Sequence, residues 1–119
     1  MTNKEIVEKF ENEFKNKVNV GIVDSLMSEN FQHHAPISGI PAGREELKAI
    51  GQYVHGLISD IRVKQEIVVE QGNLVANHVS GSGIIRKDGR KVSWTENHFY
   101  KLENGKITEW WGEGAPPLQ

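Results

Sequence analysis

The chain has 119 residues, of which 37% are hydrophobic and 25% charged, and its formal net charge is −2. This length suits a single domain with one hydrophobic core, and a near-neutral balance without a Lys/Arg cluster argues against nucleic acid as a partner. No apolar run reaches the roughly 18 residues of a membrane span, so no membrane association is predicted. The absence of cysteine excludes disulfides, thiolate metal sites and cysteine nucleophiles. The polar N-terminus is unlike a signal peptide, and we expect a cytoplasmic protein.

The first stretch of the chain has the pattern of an amphipathic helix. Thr2 and Glu5 fit a capping box, in which each side chain satisfies a free backbone amide at the helix start. Apolar residues follow at three- and four-residue spacings, which predicts a helix that runs to about Lys17. A second, shorter helix is expected after Asn19, whose side chain suits the N-cap position.

The connection to the third helix is expected to be irregular. Residues 28–30 read as a turn, and residues 35–41 as a loop, because proline lacks the amide that a helix or a central strand uses. The third helix is predicted to begin after Gly43, since acidic residues in its first turn favour the positive end of the helix dipole.

From Asp60 onward, the apolar pattern changes to the two-residue alternation of strands. Turns around Gly72, Gly89 and Gly105 separate four long strands, and Asn-Gly at the last turn accommodates the positive φ of a tight hairpin. Helices followed by an antiparallel meander predict an α+β domain, with the helices packed on one face of a curved sheet.

The stretch 92–111 holds the strongest functional signal. It reads as two antiparallel strands, and alternation puts ionisable groups on the same face as large apolar side chains. Such a mixture predicts a partly desolvated pocket rather than a plain core. The residues predicted to face this pocket are Trp94, Glu96, His98, Tyr100, Glu109, Trp111 and, from a plausible pairing of the preceding strand, His78.

Five short segments, in this order along the chain, carry a resemblance to a known family: Phe31–Pro36, Pro41–Leu47, Ser59–Val63, Glu70–Ala76 and Tyr100–Trp111. They resemble the SnoaL-like polyketide cyclase group of the NTF2-like superfamily. The resemblance covers nearly the whole chain. It implies one domain over residues 1–119, an NTF2-like cone in which N-terminal helices pack on a strongly curved antiparallel sheet.

The resemblance also implies a function. The cyclases use an acidic general acid/base in a closed, mostly apolar cone, so a small hydrophobic molecule is the expected partner. It places His34 near the mouth of the cone. The family's aspartate lies a few residues beyond a tryptophan that we match to Trp111, where this sequence has Glu113 as the nearest carboxylate and no aspartate.

We therefore hypothesise cofactor-independent acid/base catalysis of a cyclase, isomerase or hydrolase type. An apolar cavity disfavours the charged form of a carboxylate, which moves its pKa towards neutrality. Glu96 or Glu109 would transfer a proton, while His98 and Tyr100 orient or polarise an oxygen. The candidate catalytic residues are Glu96, His98 and Glu109, and the candidate substrate-binding residues are His34, His78, Trp94, Tyr100 and Trp111.

Other interpretations remain open at this point. Glu96 and His98 could form a structural polar network without a ligand, or the opposite sheet face could point inward. A non-catalytic small-molecule-binding module would use the same apolar cone. Zn²⁺ or Fe²⁺ ligation is a weaker hypothesis, and no metal site is predicted, because no tight histidine motif occurs. Its ligands would come from His78, Glu96, His98 and Glu109.

The opposite sheet face carries a prediction about assembly. It is expected to be too apolar to lie comfortably in water, which favours face-to-face packing of two sheets. A homodimer through this outer face is also common in the resembled family. The residues expected there are Val75, Val79, Ile85, Phe99 and Trp110.

Overall fold

The computed structural model describes residues 1–34 and 41–117. Most of the predicted loop, residues 35–40, lies outside them. The described elements are α1 (Asn3–Phe10), a π-helix (Glu11–Asn16), α2 (Ile22–Leu26), β1 (Met27–His34), β2 (Pro41–Ala42), α3 (Arg44–Leu57), β3 (Ile58–Gln71), β4 (Leu74–Ile85), β5 (Lys91–Glu103) and β6 (Lys106–Glu113).

The N-terminal helix begins with the predicted capping box. The amide of Glu5 donates to the Thr2 hydroxyl, 3.1 Å away, and the Glu5 carboxylate accepts from the Thr2 amide at 2.8 Å. α1 continues without a break into the π-helix, so the helical segment ends at Asn16, close to the expected end at Lys17. Within this segment, Phe10 and Phe14 are buried and stack at 5.1 Å.

The sheet has the strand order β2-β1-β6-β5-β4-β3. The four-strand antiparallel meander, β3 to β6, is confirmed. β1 was not expected, and it pairs parallel to β6, so the sheet is mixed rather than wholly antiparallel. Only Met27 and Phe31 of β1 are buried, and Glu29, midway between them, is exposed. Because a charged residue stands where a third apolar residue would be expected, the segment lacks the apolar alternation by which a strand is recognised.

The helices and the inner face of the sheet enclose the main core, and the α+β cone is confirmed. This core combines apolar side chains of α1, the π-helix, α2 and α3 with buried residues of β1, β4, β5 and β6. A second, smaller cluster is formed by Ile58, Ile61 and Ile85. Five partly buried apolar side chains pack against it, and we call them the Trp94 cluster: Val54, Leu57, Val63, Val92 and Trp94.

A bulge in β6 decides which side chains of that strand point inward. Leu102 pairs with Ile107, but Lys101 pairs with Glu109, so Thr108 is an extra residue in β6. The inward alternation therefore passes from Ile107 to Trp110, and both residues are buried. The prediction that Glu109 and Trp111 share the inner face is wrong, because the bulge moves both to the outside.

The prediction that His78 of β4 faces the inside of the cone is also wrong. Directly paired residues share a face, and His98 pairs with Asn77 while Glu96 pairs with Val79. The inward set is thus the mainly apolar one, Val75, Asn77, Val79, Gly81 and Ile85. His78 lies between two members of that set and points outward. Of the residues predicted for the outer face, Phe99 is there, whereas Val75, Val79, Ile85 and Trp110 are buried inside.

Candidate functional site

The inner face of β5 carries the polar side chains that the alternation predicted. Glu96 is 6% exposed, His98 is 3% exposed and Tyr100 is fully buried. Trp94, at the start of this row, is partly buried and belongs to the Trp94 cluster. The catalytic and binding roles of these residues stay predictions.

Two further ionisable residues reach the same place from the π-helix. Lys15 Nζ lies 2.8 Å from Glu11 Oε2 and 2.9 Å from Glu96 Oε1. His98 Nε2 also lies 2.9 Å from Glu96 Oε1. The side chains of all four residues are at most 12% exposed. We call Glu11, Lys15, Glu96 and His98 the buried charge cluster.

Uncharged polar groups complete the hydrogen bonds of this cluster. His98 Nδ1 lies 2.8 Å from Asn77 Oδ1, and the Asn77 amide donates to Gln65 Oε1 at 2.8 Å. The Trp94 indole N–H donates to Glu96 Oε2 at 2.6 Å, and the Tyr100 hydroxyl donates to Glu11. Each carboxylate in the cluster thus has partners from the helical segment and from the sheet.

Trp110 lies at the centre of a group of aromatic side chains around this cluster. Its ring stacks on Tyr100 at 5.6 Å and on His33 at 4.4 Å, and the Lys15 ammonium lies 5.3 Å from its centroid. The contact of a lysine ammonium with an indole face adds a favourable cation–π interaction. Trp110 therefore fills the cone at the level of His98, a position that the sequence pattern gave to Trp111.

The charges of the cluster are set by opposing effects. Burial alone would raise the pKa of Glu96, but the Lys15 ammonium and the hydrogen bond from His98 outweigh burial and hold this pKa well below its usual range. Burial would lower the pKa of Lys15, yet Glu11 and Glu96 outweigh it and raise the pKa. The expectation that apolar surroundings raise the pKa of Glu96 is therefore wrong. The reason is the ammonium of Lys15, which the sequence pattern did not place here.

Burial is the largest influence on the pKa values of three neighbouring titratable groups. Burial and, to a smaller extent, the charge of Lys15 lower the pKa of His98, although Glu96 opposes the shift. Burial and, to a smaller extent, the charge of Glu11 raise the pKa of Tyr100 well above its ordinary value. For His33, burial and then the charges of His98 and Lys15 lower the pKa to about 4. Because an ionised carboxylate only accepts hydrogen bonds, His98 Nε2 donates to Glu96 Oε1, and His98 Nδ1 faces a second acceptor, the side-chain oxygen of Asn77.

The other predicted site residues do not join this cluster. His34 stacks on Trp111 at 4.9 Å, and its Nε2 lies 3.1 Å from Glu109 Oε1 on the outer side of the sheet. His78 Nδ1 lies 2.7 Å from the side-chain oxygen of Asn97, also outside. The sheet thus separates the predicted set into two groups on its opposite faces.

A signal for Glu11 was present in the sequence. It follows Val7 by four residues and precedes Phe14 by three, so it lies within the apolar stripe of the first helix. A carboxylate at such a position needs a buried partner. Lys15 follows four residues later and supplies it. This pair was missed because the stripe was defined by its apolar members alone.

Two other kinds of site are absent from the described part of the chain. It holds no group of three or more His, Asp or Glu side chains arranged to bind a metal ion. None of its helices is long and apolar enough to cross a membrane. Two open depressions, of about 570 and 300 Å³, lie away from the buried charge cluster, one near the β3–β4 and β5–β6 turns and one beside Gln32 and Thr108.

Comparison with known protein families shows which family the chain belongs to. A family profile described as SnoaL-like polyketide cyclase matches residues 5–114, almost the whole chain. The chain belongs to this family. A comparison with curated protein sequences finds no match.

Solved structures support the fold of this SnoaL-like chain. IdmH from Streptomyces antibioticus superposes with a TM-score of 0.89 at 19% identity, covering 96% of this chain and 92% of that one. A SnoaL-like polyketide cyclase from Agrobacterium tumefaciens gives 0.82 at 20%, with 97% and 92% covered. A protein with a ketosteroid isomerase-like fold from Catenulispora acidiphila, in complex with trimethylamine, gives 0.81 at 16%, with 94% and 86% covered.

The segment after Trp111 also differs from expectation in this SnoaL-like chain. Glu113, the carboxylate nearest to the position of the family's aspartate, is exposed and pairs with Asn97 on the outer side. Gly112 pairs with His98, and a Cβ at Gly112 would lie 3.0 Å from the imidazole carbon Cδ2. In the described part of the chain, carboxylates inside the cone therefore come from Glu11 and Glu96 instead.

Proposed function

We propose that this chain binds a small hydrophobic molecule inside the cone and that the Glu96–His98 pair removes a proton from this molecule and returns it, without a cofactor. The observation that carries this proposal is the buried charge cluster. Taking an ion out of water costs several kcal/mol even when it is paired, and well-packed apolar residues of similar volume often give equal or greater stability. Clusters of this kind, with strongly shifted pKa values, are concentrated at functional sites.

The apolar wall of the proposed site is the Trp94 cluster. Its members are only partly buried, so a ligand that covers them removes apolar surface from water, worth roughly 25 cal/mol per Å². Trp94 connects this wall to the charged groups, because its indole donates to Glu96. An apolar ligand body on the wall would thus lie next to the carboxylate. One protein of the same fold was solved in complex with a small molecule, trimethylamine.

The proposed roles follow from the contacts of each group. Glu96 would accept or return the proton at Oε2, the oxygen that faces Trp94. Lys15 and His98 would stabilise the charge on Oε1, which both contact. Tyr100 is bonded to Glu11, so we assign it the positioning of Glu11 rather than contact with a substrate oxygen.

A second candidate function is a binding module without turnover. The lowered pKa of Glu96 favours it, because a carboxylate with a depressed pKa is a weak general base. Both candidates use the same wall and the same carboxylate. They differ in whether a proton leaves the bound molecule.

Deuterium exchange distinguishes the two candidates. The probe is 2-tetralone, an apolar ketone whose C–H groups beside the carbonyl lose a proton to a general base, and whose exchange in D₂O is followed by NMR. The wild type should accelerate exchange, and Glu96→Gln should lower the enzymatic rate about 10²–10⁴-fold. Glu109→Gln is the matched control, since Glu109 lies outside, and it should exchange like the wild type.

Calorimetry with the same ketone completes the test. Binding by the wild type without accelerated exchange favours the binding module. An absence of both binding and exchange would contradict the proposed function. Equal loss in Glu96→Gln and Glu109→Gln would show that the inner carboxylate has no special role.

We also propose that the outer sheet face packs against a second copy of the chain. A row of side chains crosses the sheet there through directly paired residues of β3, β4, β5, β6 and β1: Val69, Ala76, Phe99, Trp111 and His34. Val69 is 56% exposed and Phe99 is 59% exposed. Neighbouring Ile67 and Leu74 are exposed as well. Such a continuous apolar row is typical of a protein interface.

A further inference from the structure

The hydrogen bonds of Glu96 determine which functional group a ligand needs beside this carboxylate. Its Oε1 accepts from Lys15 and His98, both at 2.9 Å, and its Oε2 accepts from the Trp94 indole at 2.6 Å. Of these three donors, Trp94 is the one that also belongs to the partly buried apolar wall. A ligand that approaches Glu96 from that wall therefore meets the indole first.

The position of the indole is fixed by a glycine on the neighbouring strand. Gly81 pairs directly with Trp94, and a Cβ at Gly81 would lie 2.4 Å from ring carbon Cε2 and 2.7 Å from Nε1. The ring therefore lies against the backbone of β4, where any larger residue would displace it. This contact directs the N–H at Glu96, so Gly81 and Trp94 act together.

We propose that the ligand of this cone carries a hydroxyl group, as a phenol or an enol does, which replaces the Trp94 indole N–H on Glu96 Oε2. The inference rests on the proposed binding site and names its ligand class. The apolar body of the ligand lies on the Trp94 cluster, and the indole moves off its contact with Gly81. The ligand O–H then donates the hydrogen bond that the indole gave up.

The need for a donor follows from the charge on Glu96. An ionised carboxylate only accepts hydrogen bonds, and a buried one that loses a donor is strongly destabilised. A ligand without a donor, such as 2-tetralone in its keto form, would leave Oε2 unpaired if it moved the indole and would therefore bind more weakly, whereas a hydroxyl exchanges one hydrogen bond for another. A neutral hydroxyl fits better than an ammonium group, because the Lys15 ammonium already lies 2.9 Å from this carboxylate and repels a second cation.

The test compares 2-naphthol with naphthalene, two probes of similar shape that differ in one hydroxyl. Dissociation constants are measured for the wild type, Trp94→Phe and Gly81→Ala. We expect the wild type to bind 2-naphthol about 10- to 100-fold more tightly than naphthalene. Both variants should bind 2-naphthol more tightly than the wild type, by about tenfold, because the indole no longer competes for Oε2. Trp111→Phe, a tryptophan change on the outer face, is the control and should leave both constants unchanged.

The outcomes separate this inference from the function on which it rests. Equal affinities for the two probes in the wild type and in Trp94→Phe would overturn the hydroxyl requirement and leave apolar binding intact. Weaker binding of 2-naphthol by Trp94→Phe than by the wild type would show that the indole N–H does not compete with the ligand for Glu96, and it would overturn the inference. No binding of either probe by any of these proteins would overturn both proposals. If Gly81→Ala does not fold, Trp94→Phe decides alone.

Discussion

Replacing Lys15 with methionine tests whether the charge cluster is as buried as its contacts indicate. The change keeps an unbranched apolar stem and removes the ammonium that lies 2.8 Å from Glu11 and 2.9 Å from Glu96. At an effective dielectric constant of about 20, each such pair is worth about 6 kcal/mol of Coulomb attraction, which the desolvation of the ions offsets in part. Removing one partner of a buried pair typically costs about 3–5 kcal/mol, because the remaining charge is left without compensation.

Urea unfolding at pH 7.5 measures this loss. With an m-value of about 2 kcal/mol per molar, the midpoint of Lys15→Met should fall by about 2 M. Adding Glu96→Gln should recover part of the loss, with a coupling energy of about 1–3 kcal/mol, because the charge that lost its partner is then removed too. Lys48→Met is the matched control. Lys48 also contacts two carboxylates, Asp24 at 3.0 Å and Glu45 at 2.6 Å, but these are exposed, and the change should cost less than about 1 kcal/mol.

The pH dependence gives the experiment a second readout. In the wild type, the lowered pKa of Glu96 makes its contribution to stability complete above the unfolded pKa of about 4.5, so it is constant from pH 5 to 7.5. Without Lys15, burial would raise this pKa above the unfolded value. The destabilisation should then be smallest at low pH and grow as the pH rises through the raised pKa. A loss below about 1 kcal/mol at pH 7.5, or one that does not change between pH 5 and 7.5, would refute a water-excluded cluster.

Two further predictions concern residues outside the cluster. The pKa of His33 is about 4 in the folded state and about 6.5 in the unfolded state, so the free energy of unfolding falls as the pH falls from 6.5 towards 4. In His33→Leu this fall, followed by urea unfolding, should be smaller by about 1–2 kcal/mol. An unchanged pH profile of stability would argue against a buried, neutral His33. Phe99→Glu should convert a homodimer into a monomer, seen as a halved mass in light scattering, because it places a carboxylate in the middle of the exposed apolar row; a wild type that is already monomeric at high micromolar concentration would remove the dimer proposal.

The sequence predicted the fold well because its signals are local. The capping box at Thr2, the change of period near Asp60 and the Asn-Gly turn before Lys106 each depend on a few neighbouring residues. The inner face of β5 follows from plain alternation in the same way. β1 gave no such signal, because the exposed Glu29 interrupts the apolar alternation between Met27 and Phe31, and the strand pairs with β6, which is distant in sequence.

The site was harder to predict because it depends on register and on contacts between distant segments. One extra residue at Thr108 exchanges the faces of Glu109 and Trp110, and no local pattern in β6 marks the bulge. The pair Glu11 and Lys15 meets Glu96 across more than 80 positions of sequence. Once the charged partner Lys15 is in place, the pKa of Glu96 moves opposite to the expectation from apolar surroundings alone.

The proposed function and the further inference both require a ligand that binds on the inner face of the cone, against Trp94 and Glu96. The most direct test is the NMR spectrum of the three tryptophan indole N–H groups, assigned by single Trp→Phe variants, during titration with 2-naphthol. We expect the Trp94 signal to shift most, because its N–H leaves Glu96, and the Trp111 signal on the outer face to stay in place. A titration in which the Trp111 signal shifts and the Trp94 signal does not would contradict binding on the inner face.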